Sequence, residues 1–148
     1  MTFDHSDALL LESIKLSQSD DDGASLLEII KWFDYINHAI ITYQEFVSGT
    51  EKLKSLGLVR EQSKRLWTTD IFESWWAKKY GTKSRFGLLK AMEEIKKYLN
   101  RDFGKHQQKL DDGATNFTKD DFEQSKTEYL KRADEALKTL DKRQKKRK

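Results

Sequence analysis

Residues 41–59 read ITYQEFVSGTEKLKSLGLV, and this stretch decides the fold. Thr42 and Glu45 have the spacing of a capping box, in which the two side chains bond reciprocally to backbone N–H groups at a helix start. Ile41 and Phe46 occupy the positions of a hydrophobic staple, which fixes the direction in which the chain enters a helix. The stretch therefore predicts a helix that begins directly after Thr42.

Phe46 and Leu53 are seven residues apart, which places them on one face of this helix. We expect that face to be buried and Gly57 to end the helix, because glycine suits the backbone that follows a helix C-terminus. The opposite face then carries Gln44, Ser48, Glu51 and Ser55, with Lys52 at its edge.

The segment after the helix predicts a β-hairpin. Residues 58–69 read LVREQSKRLWTT, two short runs suited to strands on either side of a polar turn. We place the strands at residues 58–60 and 65–68. The turn lacks the Asn-Gly or Gly residues that most short hairpins use.

Two helices precede the opening stretch. The first is expected over residues 7–16, with Ser6 as its N-cap. The second begins after Ser25, which forms another capping box with Glu28, and it carries a broad apolar stripe. We expect this second helix to be the centre of the core.

Three further segments follow the hairpin. A short aromatic-rich helix is expected after Thr69, and an amphipathic helix is expected over residues 84–100. Residues 102–117 are polar and resemble a linker. The last helix, after Thr118, has a thin apolar stripe and should therefore need a partner to be stable. That stripe comprises Phe122, Tyr129, Ala133, Leu137 and Leu140.

These elements predict a mainly α fold. The run YINHAIITYQEF, followed by LKSLGLV and a basic hairpin, resembles the winged helix-turn-helix, and in particular small uncharacterised bacterial winged-helix proteins. The resemblance covers about residues 7–70. It implies that the third helix is a recognition helix and that the hairpin is the wing. We divide the chain accordingly into a winged-helix domain (1–70), a basic helical extension packed on it (71–101), a linker (102–117) and a C-terminal amphipathic helix with a basic tip (118–148).

The resemblance implies a DNA-binding, transcription-regulator-like protein. In such proteins the outer face of the recognition helix enters the major groove, while basic side chains neutralise phosphates. Gln44 and Ser48 would lie nearest the bases. The remaining candidate contacts are basic, namely Lys52, Arg60, Lys64, Arg65, Lys78, Lys79, Lys83 and Arg85.

The charge distribution favours a different reading, a protein-interaction module on the same fold. Residues 1–22 carry six acids against one lysine, whereas residues 60–101 carry eleven basic residues against five acids. The predicted recognition face has Glu51 and no arginine, although phosphates would repel a carboxylate there. The last helix would then pair with a protein partner or with a second copy, and the basic run at 142–148 would be either an interaction element or a solubilising end.

The aromatic segment and the acidic residues of the helices can be explained by structural roles, without a ligand. Residues 75–86 interleave aromatic and basic side chains, which suits stacking on unpaired bases but is more typical of a core. Asp34 and His38 are expected to form an ion pair within the second helix, and Glu93 is expected to pair with Lys97. Each of these interpretations assigns the residues a structural role.

No motif in the sequence points to catalysis. There is no cysteine, and the three histidines lack metal-ligand spacing. The acidic loop before the second helix lacks acids at the first and last positions of a calcium loop. We therefore expect no enzyme activity, no cofactor and no metal. The acidic N-terminal region lacks an export signal and no apolar run could span a membrane, so we expect a cytoplasmic protein without membrane contact.

Overall fold

The computed structural model of the chain describes residues 1–19, 21–81, 86–105 and 113–146. Within these ranges the chain is mainly helical, as predicted, with three helices, an antiparallel hairpin and three more helices. These elements are α1 (His5–Ser17), α2 (Leu26–Asn37), α3 (Tyr43–Ser55), β1 (Val59–Gln62), β2 (Arg65–Thr68), α4 (Asp70–Tyr80), α5 (Leu88–Phe103) and α6 (Lys119–Lys146). None of the described helices combines the length and apolar character that crossing a membrane requires.

Helix α3 begins as its sequence predicts. The Glu45 N–H donates to the Thr42 hydroxyl over 3.1 Å, and the Thr42 N–H donates to the Glu45 carboxylate over 3.0 Å. Phe46 and Leu53 are both fully buried. The prediction of the helix start and of its buried face is confirmed.

The first helix differs from the prediction in its cap and in its position. Asp4, not Ser6, is the N-cap, and it forms a reciprocal capping box with Asp7. The Ser6 hydroxyl instead donates to the carboxylate of Glu45 at the start of α3. Helix α1 is buried on nearly every side, so α1 rather than α2 lies at the centre of the core. A helix surrounded on all sides has no polar stripe, which made its central position hard to recognise from periodicity.

The hairpin has the expected antiparallel pairing, with the first strand running two residues further than predicted. Val59 pairs with Thr68, and Gln62 pairs with Arg65. Ser63 and Lys64 form the turn with φ of 52° and 60°, a left-handed backbone usually adopted by Asn or Gly. The topology of three helices followed by this hairpin is compatible with a winged helix.

Helices α4 and α5 pack beside α1 as an extension of the same core. The Asn100 side chain receives a hydrogen bond from the Phe3 N–H over 3.0 Å and donates to the Phe3 carbonyl over 3.1 Å. Lys79 on α4 forms an ion pair with Glu94 on α5 over 3.0 Å. Among the described residues, Glu94 on α5 therefore forms an ion pair, whereas the predicted pair of Glu93 with Lys97 is not formed.

Helix α6 runs antiparallel to α2 and then continues past it. The Tyr129 hydroxyl donates to Asp34 on α2, so Asp34 holds this tyrosine instead of the predicted partner His38. Further along α6, Ala133 lines a cleft together with Leu27 near the start of α2. We call the portion of the chain up to Ala133 the body. Residues 134–143 are all exposed, and we call residues 134–146 the arm.

Candidate protein and nucleic-acid interface

The outer face of α3 lines an open groove of about 610 Å³. Gln44 and Ser48, the predicted base-contacting residues, are exposed there. Glu51 and Lys119, at the start of α6, also line this groove. The groove therefore presents amide, hydroxyl and carboxylate groups next to a single lysine.

One side of α3 is covered by residues 113–118, which we call the strap. A Cβ atom at Gly113 would lie only 2.2 Å from the Glu51 carbonyl oxygen, so only glycine fits this close approach of two backbones. The Lys54 ammonium donates to the Ala114 carbonyl over 2.6 Å. Residues in this stretch were predicted to belong to a linker, and the structure places them against α3 and the hairpin.

Glu61 on β1 holds the middle of the strap. Its carboxylate accepts from the Thr115 hydroxyl over 2.6 Å, from the Asn116 N–H over 2.8 Å and from the Lys54 ammonium over 3.2 Å. The Glu61 side chain is only 2% exposed. A buried carboxylate is stable when it has such a set of donors.

Two aromatic rings anchor the strap and the start of α6 in the core. Phe117 meets Phe46 of α3 edge to face, with 5.2 Å between ring centroids. Phe122 is buried between Phe46 and Tyr43, with a centroid distance of 5.7 Å to Tyr43. The buried side of α3 is thus completed by residues more than sixty positions later in the chain.

Four of the predicted phosphate contacts are engaged inside the molecule. Lys52 forms an ion pair with Asp7 over 2.9 Å. The Arg60 guanidinium lies 4.3 Å from the centroid of the Trp67 ring. The third is Lys79, which is paired with Glu94, and the fourth is Lys64 at the hairpin turn.

Lys64 at the hairpin turn connects the hairpin to α6. Its ammonium donates to the Asn116 carbonyl and forms an ion pair of 2.8 Å with Asp121. This hydrogen bond from Lys64, together with the Thr118 N–H, lowers the pKa of Asp121 to about 2. The tip of the hairpin is thereby tied to the strap.

Arg65 and Lys78 remain as exposed basic side chains. Among the residues that the structure describes, neither takes part in an ion pair. Lys83 and Arg85, the last two predicted contacts, lie outside the described residues.

The aromatic side chains of the predicted stacking segment pack against the core. Trp75 stacks on Tyr98 of α5 with 4.6 Å between centroids, and Trp76 meets Tyr80 at the same distance. Phe86 meets Trp76 edge to face at 5.1 Å. These rings join α4 to α5, which favours the structural interpretation of the segment.

The five predicted partner residues on α6 fall into two groups. Phe122 is buried, Tyr129 and Ala133 are half-buried, and all three lie on the body. Leu137 is 63% exposed and Leu140 is 52% exposed. Leu130, beside them at the edge of the body, is 46% exposed.

Sequence reasoning did not single out Glu12, which is fully buried in α1. Neither carboxylate oxygen has a hydrogen-bond partner among the described residues. Burial without a partner raises the pKa of Glu12 to about 8, so the side chain is mostly protonated at neutral pH. A single acid within an apolar run on α1 was the only feature of the sequence that could have indicated it.

In the described ranges, no group of three or more His, Asp or Glu side chains is arranged to hold a metal ion. His106, one of the three histidines, lies outside those ranges.

No family model matches the chain, and no curated protein or solved structure matches it either.

Proposed function

We propose that this protein is a protein-interaction module that contacts its partner through the arm of α6. The observation that carries the proposal is the exposure of Leu137 and Leu140 on a helix that extends beyond the body. A lone helix of about a dozen residues has marginal stability in water, so packing of its apolar face is what would stabilise it. Exposed leucines at helical spacing provide such a face.

The composition of the arm supports the proposal. Its exposed side chains between Asp134 and Arg143 are mostly charged, so Leu137 and Leu140 form a narrow apolar stripe within a polar surface. An apolar centre with a polar rim is the usual anatomy of a protein interface.

The test is capture of a partner by the full-length chain, with substitutions on the arm. Leu137 and Leu140 are changed together to asparagine, and Leu89 on α5, which is 60% exposed, is changed to asparagine as a matched control. We expect the natural chain and the control to associate with the same partner, either a second copy seen by light scattering or a protein retained from a cell lysate. The double variant should lose that association. An association that persists in the double variant, or the absence of any, contradicts the proposal.

DNA binding is a second candidate, and the topology of three helices followed by an antiparallel hairpin supports it. Gln44 and Ser48 are exposed on α3, while Arg65 and Lys78 are exposed cations without an ion pair in the described part of the chain. A winged helix would place α3 in the major groove and the hairpin on the backbone.

The DNA-binding candidate is tested by fluorescence anisotropy with a duplex at low and moderate salt. Affinity should fall steeply as salt rises, because binding releases counterions. Arg65 and Lys78 are reversed together to glutamate, since neither supports the strap. The sequence also predicts that reversing Lys64 and Arg65 weakens binding, although the Lys64 change additionally breaks its contact with Asp121. An affinity that changes neither with salt nor with the reversal of Arg65 and Lys78 would exclude this candidate.

A further inference from the structure

The apolar stripe of α6 continues past the point where the body ends. Tyr129 and Ala133 lie on the face that packs against α2, and at 100° per residue Leu137 and Leu140 lie on the same face. A helix laid on these leucines would therefore continue the position of α2. We infer that this helix is the arm of a second copy of the chain, paired in the antiparallel sense; the inference rests on the proposed function.

Steric exclusion decides between the two senses of pairing. If the two arms ran parallel, the rest of the second α6 would run alongside the first α6. It would then occupy the space that α2 fills. In the antiparallel sense, the second α6 leads away from the first body, and the two bodies lie at opposite ends of the paired arms. The arm of residues 134–146 is about 20 Å long, at 1.5 Å per residue, so it holds the bodies apart.

The antiparallel sense also brings opposite charges together. If Leu137 packs against Leu140 of the other copy, Arg143 lies level with Asp134 of that copy, at the edge of its body. The end of the arm then meets the start of α2 of the other copy. Lys142 and Arg143 are exposed at the end of the arm, and Asp21 and Asp22 are exposed in the turn before α2.

Helix dipoles reinforce this arrangement. The C-terminal end of a helix attracts cations, and the N-terminal end attracts anions. The basic end of α6 and the acidic turn at the start of α2 each carry the charge that favours their own helix end, and the two charges are complementary to each other. Neither Asp21 nor Asp22 forms an ion pair within the described residues.

The charges along the sides of the paired arms are arranged less favourably for association. The antiparallel sense brings Asp134 near Asp141 of the other copy, and these like charges repel each other. Both side chains are exposed, so solvent weakens the repulsion. We therefore expect a weak, concentration-dependent dimer.

Sedimentation equilibrium of the full-length chain tests self-association. The mass of 17.4 kDa at low concentration should approach twice that value as the concentration rises. Changing Leu137 and Leu140 to asparagine should abolish the rise, whereas changing Leu89 to asparagine should not.

A charge swap tests the antiparallel geometry. One variant carries Lys142→Glu with Arg143→Glu, and the other carries Asp21→Lys with Asp22→Lys. Each variant alone should dimerise more weakly than the natural chain, because residues 142–143 and residues 21–22 would then carry like charges where they meet in its own dimer. An equimolar mixture should dimerise more strongly than either variant alone, because each copy then finds an opposite charge at both contacts. All four sites are exposed, and circular dichroism checks that both variants are folded.

The outcomes separate the inference from the proposed function. Recovery of the dimer in the mixture supports the inference. Two results overturn the antiparallel arrangement but leave the proposed function standing. In the first, the dimer needs Leu137 and Leu140 but neither charge change weakens it. In the second, mixing the two variants does not restore the dimer. A chain that stays monomeric at every concentration overturns the inference, while capture of a different protein through the same leucines would keep the proposed function. A dimer that does not need the leucines contradicts both.

Discussion

Glu12 is a buried acid whose protonation links the stability of the core to pH. Its pKa is about 8 in the folded protein and 4.5 as an unperturbed side chain. The folded state therefore holds a proton that the unfolded state releases between these values. Stability from this group is fully present below pH 4.5 and is lost as the pH rises toward 8.

Replacing Glu12 with glutamine should stabilise the protein at neutral pH. Between pH 4.5 and 7, the released proton corresponds to about 3 kcal/mol, at about 1.4 kcal/mol for each pH unit. Urea unfolding at pH 5 and pH 7.5 measures the effect, with Glu123→Gln on the exposed side of α6 as the control. We expect the natural chain and the control to lose stability over this range and Glu12→Gln to lose much less. Equal pH dependence in all three proteins would contradict the assigned role of Glu12.

Gly113 is a residue at which the strap lies very close to α3. Because an added Cβ would lie 2.2 Å from the Glu51 carbonyl oxygen, Gly113→Ala requires the backbone of the strap to move. We expect a loss of roughly 1–3 kcal/mol in the free energy of unfolding, as for other overpacked sites. Gly87→Ala is the control, since its Cβ would meet only Lys90 at an ordinary 3.5 Å. A smaller loss at Gly113 than at Gly87 would show that the strap does not lie as described.

At the level of elements, the parts that the sequence predicted are those determined locally. The start of α3 depends on Thr42 and Glu45, which are three residues apart, and the hairpin depends on strand patterns within a dozen residues. The burial of aromatic side chains on α4 likewise agrees with their helical spacing, whereas the contact of Trp75 with Tyr98 on α5 is long-range.

The strap was missed because its partners are distant in sequence. Gly113 to Thr118 are mostly polar and small, as linkers are, and nothing nearby indicates that Glu61 accepts two of their hydrogen bonds. We also predicted Lys52 and Lys64 to be available for phosphates, but each forms a long-range ion pair, with Asp7 and Asp121 respectively. Pairing of a lysine with a particular acid depends on tertiary structure, and local patterns do not encode it.

Glu61 should be essential for docking of the strap onto the hairpin. Changing it to alanine removes an acceptor that three donors share and leaves the Thr115 hydroxyl and the Asn116 N–H without this partner, while Lys54 keeps the Ala114 carbonyl. We expect a loss of about 2–3 kcal/mol in stability. The strap should also become a site of early cleavage in limited proteolysis. Gln62→Ala, at an exposed neighbouring position, is the control and should change neither property. Unchanged proteolysis of Glu61→Ala would exclude the role given to this carboxylate.

At the scale of the whole molecule, α6 has two different halves. Phe122 and Tyr129 complete the core through α3 and α2, so a truncation near Asn116 would expose Phe46 and is not a neutral test of self-association. The sequence predicted one stripe along the whole helix. It did not show where the body ends, because that boundary depends on the length of α2 and on the direction in which α6 crosses it.

The central claim is that the arm is an interaction element and that the rest of α6 belongs to the body. Amide hydrogen exchange of the full-length chain, in dilute solution and in the associated state, tests this claim most directly. In dilute solution, residues 134–143 should exchange quickly and residues 119–133 slowly, because only the latter pack on the body. Association should slow exchange in the arm and leave the strap and α3 unchanged. An arm that is already protected in dilute solution, or that stays unprotected in the associated state, would contradict the account.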